Sequence, residues 1–110
     1  MSKKKADLLQ GTLDLLILKT LALEPLHGWG VSKRLKDLSS GVLDIGQGSL
    51  YPALYRLRDR GLIKSSWTIS DDDRRVKVYE LTKAGQKALR QESESFRLFV
   101  GAVEEVLSTS

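Results

Sequence analysis

Apolar residues near the start of the chain recur at a step of three to four: Leu8, Leu9, Leu13, Leu16, Ile17 and Leu21. The pattern predicts a helix over Ala6 to Leu23. Leu15, Leu18 and Leu23 add apolar surface on further faces, and a helix apolar most of the way round needs cover on more than one side. Glu24 and Pro25 end it, since the residue before a proline is pushed out of the helical region. A second helix is predicted from about Gly28 to Leu38, with Val31, Leu35 and Leu38 on one face and Ser39, Ser40 and Gly41 as its stop.

The third helix runs to Arg60, with Ser49 as its N-cap and Pro52 at the third helical position, where a missing N–H costs nothing. Gly61 closes it. At about 100° per residue, Leu50, Leu54 and Leu57 share an inward face, while Ser49, Tyr51, Pro52, Tyr55 and Arg56 fall on the opposite arc, with Gln47 just ahead. Two strand patterns follow, Leu62 to Ser70 and Val76 to Leu81, joined by the acidic turn Ser70-Asp71-Asp72-Asp73. They predict a two-stranded hairpin with Arg74, Arg75 and Lys77 at the base of its returning strand. Thr82 caps a last helix to about Leu107, in which Leu89, Phe96 and Val103 step by seven, as do Phe99 and Val106, with Val100 widening the seam.

Helix, helix, helix, hairpin, helix is the order of a winged helix-turn-helix. The predicted fold is α+β and mostly helical, with a two-stranded β-hairpin wing and a long C-terminal dimerisation helix. One domain covers 1–110, divided into a body over 6–81 and the dimerisation helix over 82–108. At about 39 Å for Thr82 to Leu107, the last helix outreaches so small a body. Its seam (Phe96, Phe99, Val100, Val103, Val106) and the first helix (Leu9, Leu13, Leu16) are expected to meet a second copy.

Composition narrows the chemistry. The 110 residues carry 18 Lys and Arg against 14 Asp and Glu, a net charge of +4 that favours a polyanionic partner. The absence of cysteine and the single histidine exclude disulfides, thiol catalysis and His- or Cys-built metal centres. No nucleophile and base stand at a catalytic spacing, so no enzyme, cofactor or metal is expected. Asp7, Gln10, Asp14 and Lys19 break the apolar run behind Lys3, Lys4 and Lys5, so neither a secretory signal nor a membrane span is expected and the protein reads as cytoplasmic. The three lysines fit either a solubilising terminus or an arm to DNA phosphates.

An arc carrying a hydroxyl, two tyrosines and an arginine can donate to phosphates and base edges and touch thymine methyls. Gln47, Ser49, Tyr51, Pro52, Tyr55 and Arg56, with Arg74, Arg75 and Lys77 of the hairpin, are therefore the expected contacts to double-stranded DNA. The alternative is a winged-helix module that docks proteins without binding DNA. His27 is expected to open the second helix, and Gly28 and Gly30 to permit close helix packing rather than to cradle phosphate.

Leu26-His27-Gly28-Trp29-Gly30-Val31, Gly48-Ser49-Leu50-Tyr51-Pro52-Ala53-Leu54-Tyr55-Arg56-Leu57, Arg60-Gly61-Leu62-Ile63 and Arg74-Arg75-Val76-Lys77-Val78-Tyr79-Glu80-Leu81-Thr82-Lys83-Ala84-Gly85 together resemble the PadR family of bacterial transcriptional regulators, from about Leu8 to Leu89. The resemblance implies a homodimeric winged-helix repressor acting on a palindromic operator, here a short member with a single C-terminal helix. The acidic tip Asp71-Asp72-Asp73 departs from the basic or glycine-rich tips of such regulators. Some members sense aromatic or drug-like effectors, and Trp67 and Phe96 are the aromatics expected to wall such a site at the dimer interface.

Overall fold

A computed structural model of the chain describes the backbone of residues 3–110 and the side chains of residues 11–110. Its elements are α1 (Lys3–Leu23), β1 (Leu26–His27), α2 (Gly28–Leu38), α3 (Gln47–Asp59), β2 (Ile63–Ile69), β3 (Arg75–Leu81) and α4 (Lys83–Leu107). Leu9 and Lys3 to Lys5 lie outside the described side chains.

Local chemistry sets most of the boundaries. His27 is extended, and its Nδ1 accepts the N–H of Gly30 at 3.0 Å, supplying the acceptor that the start of α2 needs. Thr82 does the same for α4 by accepting the Gly85 N–H at 3.0 Å, and its hydroxyl also donates to the Gly61 carbonyl at 2.7 Å. At the end of α3, Gly61 takes the left-handed conformation (φ 76°). Leu62 N–H then reaches the Leu57 carbonyl at 3.0 Å and Gly61 N–H that of Arg58 at 2.9 Å, turning the chain directly into β2.

Two features differ from the sequence pattern. Helix α3 begins at Gln47 behind an N-cap of Gly46, rather than at Ser49, and Leu50 N–H reaches the Gly46 carbonyl at 3.0 Å. Ser49 is therefore a first-turn residue and Pro52 lies inside the helix. The proline removes the N–H that the Gly48 carbonyl would accept, at a point where both residues are exposed. The second difference is β1. The sheet has three antiparallel strands in the order β1-β3-β2, with Leu26 opposite Tyr79 and His27 opposite Val78, so the expected two-stranded wing is the longer part of a larger sheet. Two residues carry no periodicity of their own; they form a strand only where the β3 edge is brought beside them.

The hairpin register runs from Ile63 opposite Leu81 to Ile69 opposite Arg75. Its turn closes through Ser70 N–H to the Arg74 carbonyl at 2.8 Å, and Asp73 takes a left-handed φ of 65°, which aspartate tolerates.

The core joins Leu13, Ile17, Leu18 and Leu21 of α1 to Val31 and Leu35 of α2, Leu50, Ala53, Leu54 and Leu57 of α3, and Ile63 and Tyr79 of the sheet. Helix α1 is packed by α2, α3, α4 and β3 at once. Among the described side chains, Leu13, Leu15, Ile17, Leu18 and Leu21 are thus buried by the chain itself, while Leu23 stays exposed. Leu13, expected at a dimer face, is buried in the core and Leu16 packs against it. Thr20, also inaccessible, donates its hydroxyl to the Leu16 carbonyl at 2.7 Å.

Helix α4 behaves differently. Gly85, Ala88 and Leu89 pack on the body, but every residue from Glu94 onward is exposed. Phe96, Phe99, Val100, Val103 and Val106 all lie on this projecting part, as do Leu98 and Leu107, and the molecule is 59 Å along its longest axis. Among the described residues, no helix is long and apolar enough to cross a membrane and no cluster of three or more His, Cys, Asp or Glu could hold a metal ion.

Candidate nucleic-acid interface

Four inaccessible residues, Leu50, Ala53, Leu54 and Leu57, fix the rotation of α3 about its axis. Gln47, Gly48, Ser49, Pro52 and Tyr55 are consequently exposed on the other side. Tyr51 sits at the margin. It is half-buried, and a Cβ on residue 28 would lie 2.5 Å from its hydroxyl oxygen, so Gly28 is the close approach between α2 and α3. At Gly30 the nearest atoms to such a Cβ are 3.4 Å away, an ordinary contact. Tyr51 and Tyr55 rings are 6.2 Å apart, and the Arg58 guanidinium lies 5.2 Å from the Tyr55 ring centroid. Tyr79 of β3 is buried in the core against which Tyr51 packs. Burial pushes its hydroxyl above the ordinary tyrosine range, neighbouring Tyr55 and Tyr51 add to the rise, and Arg58 opposes it.

Arg56 is not turned outward as its position on the helical arc predicts. Its Nη2 donates to Asp14 Oδ1 of α1 at 2.7 Å, and its Nε lies 3.5 Å from Oδ2. The Asp14 side chain is only 13% exposed. A flexible side chain on the flank of a helix follows the strongest partner in reach, and a shielded carboxylate outcompetes water.

On the wing, strand alternation places Trp67, Lys77 and Arg75 on the sheet face that also carries Tyr79. Trp67 is 57% exposed, with the Arg75 guanidinium 4.7 Å and the Lys77 ammonium 5.2 Å from its ring centroid. Arg74 is directed instead to the acidic tip, its Nε 3.5 Å from Asp72 Oδ2, and so offsets part of that charge. The two aromatics expected to share a ligand wall are not brought together. Phe96 lines a shallow groove of about 300 Å³ between α1 and α4, with Leu15 and Phe99. Trp67 is not among its lining residues, because its strand carries it out onto the wing.

Two residues outside the expected contact set also stand on this side. Trp29 of α2 is exposed and stacks on the His27 ring at 6.0 Å. It borders a cleft of about 520 Å³ with Lys33, Lys36 and Gln47, where the lysines pair with Asp37 at 3.4 Å and Asp44 at 3.6 Å. Arg58 is the other. A tryptophan between two glycines and an arginine three residues from Tyr55 are the signals that the sequence offers for them.

The three-helix body, the sheet with its hairpin and the long last helix define a winged helix-turn-helix protein. The chain belongs to the transcriptional regulator PadR-like family, whose sequence profile matches residues 17–91, and is thus a transcriptional regulator. Among solved structures it is similar to a PadR family transcriptional regulator from Eggerthella lenta, at 30% identity and a TM-score of 0.81, covering 97% of this chain and 91% of that one. It is likewise similar to a transcriptional regulator from Clostridium thermocellum, at 27% identity and a TM-score of 0.82, with 90% and 96% covered. A 37.1 kDa protein of a Streptomyces fradiae transposon is 34% identical over 90 residues; these cover 82% of this chain but 24% of that protein.

Proposed function

We propose that the chain is a homodimeric, sequence-specific DNA-binding regulator, a repressor that sets one α3 from each subunit in successive major grooves of a palindromic operator. The observation that carries this reading is the continuity between α3 and the wing. Tyr51, Tyr55 and Arg58 stand beside Tyr79, which shares its sheet face with Trp67, Lys77 and Arg75. Exposed aromatic and hydroxyl groups at a helix surface suit base edges and thymine methyls, and the flanking cations suit phosphates. Gln47, Ser49, Pro52 and Tyr55 are the groups assigned to the groove, with Tyr51 at its margin and Arg75, Lys77 and Arg74 assigned to the backbone.

The apolar seam of α4 supports the dimer. Phe99 and Val106, exposed at 52% and 72% in the single chain, would leave water against a second α4. Two subunits related by a two-fold axis would read half-sites about 34–36 Å apart. The test is binding of duplex DNA, selected by the protein from a random-sequence pool, at several salt concentrations. Affinity that falls steeply and linearly on a logarithmic salt axis is expected. Binding that is absent, or flat in salt, would favour the protein-docking alternative.

A further inference from the structure

The Asp14–Arg56 pair joins residues 42 positions apart and is the only side-chain ion pair between α1 and α3 among the described residues. Its geometry is two-point: Nη2 on Oδ1 and Nε toward Oδ2. An arginine that reads guanine presents the same planar fork to the base. In this structure the fork is already taken. Withdrawing it would leave a largely shielded carboxylate without its partner, which is costly.

The position of Asp14 gives the pair a second consequence. The next residue along α1, Leu15, lines the groove under α4 together with Phe96 and Phe99. One turn of α1 therefore meets the projecting helix through Leu15 and holds the recognition helix through Asp14. A change in how α1 and α4 pack would reach α3 through this charged clamp as well as through apolar contacts.

Resting on the DNA-binding reading above, we infer that Arg56 is a positioning residue. Clamped by Asp14, it sets the pose of α3 relative to the α1–α4 layer and does not itself contact DNA. Asp14, a carboxylate that DNA phosphates would repel, thereby becomes a residue on which specific binding depends.

Asp14→Asn, Arg56→Gln and the double variant would be compared with the parent on two probes: duplex DNA selected by the parent from a random pool, and unselected random-sequence duplex. Each single variant is expected to lose on the order of tenfold in affinity for the selected DNA, the scale of coupling between contacting residues. The double variant should be no weaker than the singles, and the salt slope should stay at the parent value. Binding to unselected duplex and the circular dichroism spectrum report whether each variant is folded. A variant that is not folded is replaced by the swapped pair Asp14→Arg with Arg56→Asp, which should bind selected DNA better than a lone Asp14→Arg.

A salt slope lowered by about one in Arg56→Gln alone would make Arg56 a phosphate contact and overturn the assignment. So would full affinity in Asp14→Asn beside a large loss in Arg56→Gln, which would make Arg56 a base reader. A parent that shows no salt-dependent DNA binding would defeat the DNA-binding reading itself and this role with it. That outcome is distinct, because it needs no variant.

Discussion

Trp67 and Arg75 form a diagonal pair across the wing, the guanidinium carbon 4.7 Å from the indole centroid, while Lys77 stands directly opposite the same tryptophan. The indole holds two cations on one face of the sheet. A cation–π contact at an exposed site contributes about 0.5–1 kcal/mol. That is enough to bias two long side chains toward one direction without burying either charge.

Removing the cation and removing its platform should therefore differ. Arg75→Ala is expected to weaken selected and unselected DNA alike and to lower the salt slope by about one. Trp67→Ala should leave the slope unchanged and cost only a few-fold in affinity, since both charges remain but lose their shared support. Equilibrium titrations at four or more salt concentrations separate the two outcomes. A full-unit slope change in Trp67→Ala would mean that the indole does more than orient its neighbours.

Phe99→Glu tests the α4 seam. Phe99 is exposed in the single chain, so the substitution should leave the subunit folded. An unpaired carboxylate forced between two helices is strongly disfavoured, and the dimer should dissociate. Sedimentation equilibrium should report a monomer, with operator affinity lost because one half-site contact remains. An intact dimer would place the subunit interface elsewhere.

Gly28→Ala should destabilise the fold by about 1–3 kcal/mol, the usual range for overpacking. The new methyl would lie 2.5 Å from the Tyr51 hydroxyl oxygen and 2.7 Å from Cζ, and the tyrosine can leave only by moving off α2. Thermal melting of Gly28→Ala beside Gly28→Ala with Tyr51→Ala checks the cause, since removing the ring should make the alanine nearly harmless. Equal melting of Gly28→Ala and parent would show that Tyr51 swings aside freely.

Tyr79 makes stability depend on alkaline pH. Its hydroxyl is held protonated to a higher pH in the folded chain than in the unfolded one, chiefly by burial. Below the unfolded value both states carry the proton, and the contribution is fully present. As pH rises above about 10 the unfolded chain ionises first, so stability falls until the folded hydroxyl also titrates. Urea melts from neutral pH upward should show this loss in the parent, and less of it in Tyr79→Phe.

Much of the architecture is written in local signals. The apolar steps of α1 to α4, the His27 and Thr82 caps, the glycine at the end of α3 and the Ser70–Asp73 turn each depend on residues within a few positions of one another, so the sequence alone announces them. The inward leucines of α3 likewise predicted which side Tyr55 and Pro52 would show. What remained hidden depends on pairs distant in the chain. β1 exists only because β3 passes beside it, and Asp14 claims Arg56 across 42 positions. Helix α1 is packed by four elements of its own chain, which bury Leu13, Ile17, Leu18 and Leu21. Trp67 faces Arg75 and Lys77 rather than Phe96, because a hairpin carries it outward while α4 carries Phe96 in another direction. Periodicity tells which side of an element is apolar. Only packing decides which neighbour covers it, because that choice is made by contacts whose chain separation no local pattern records.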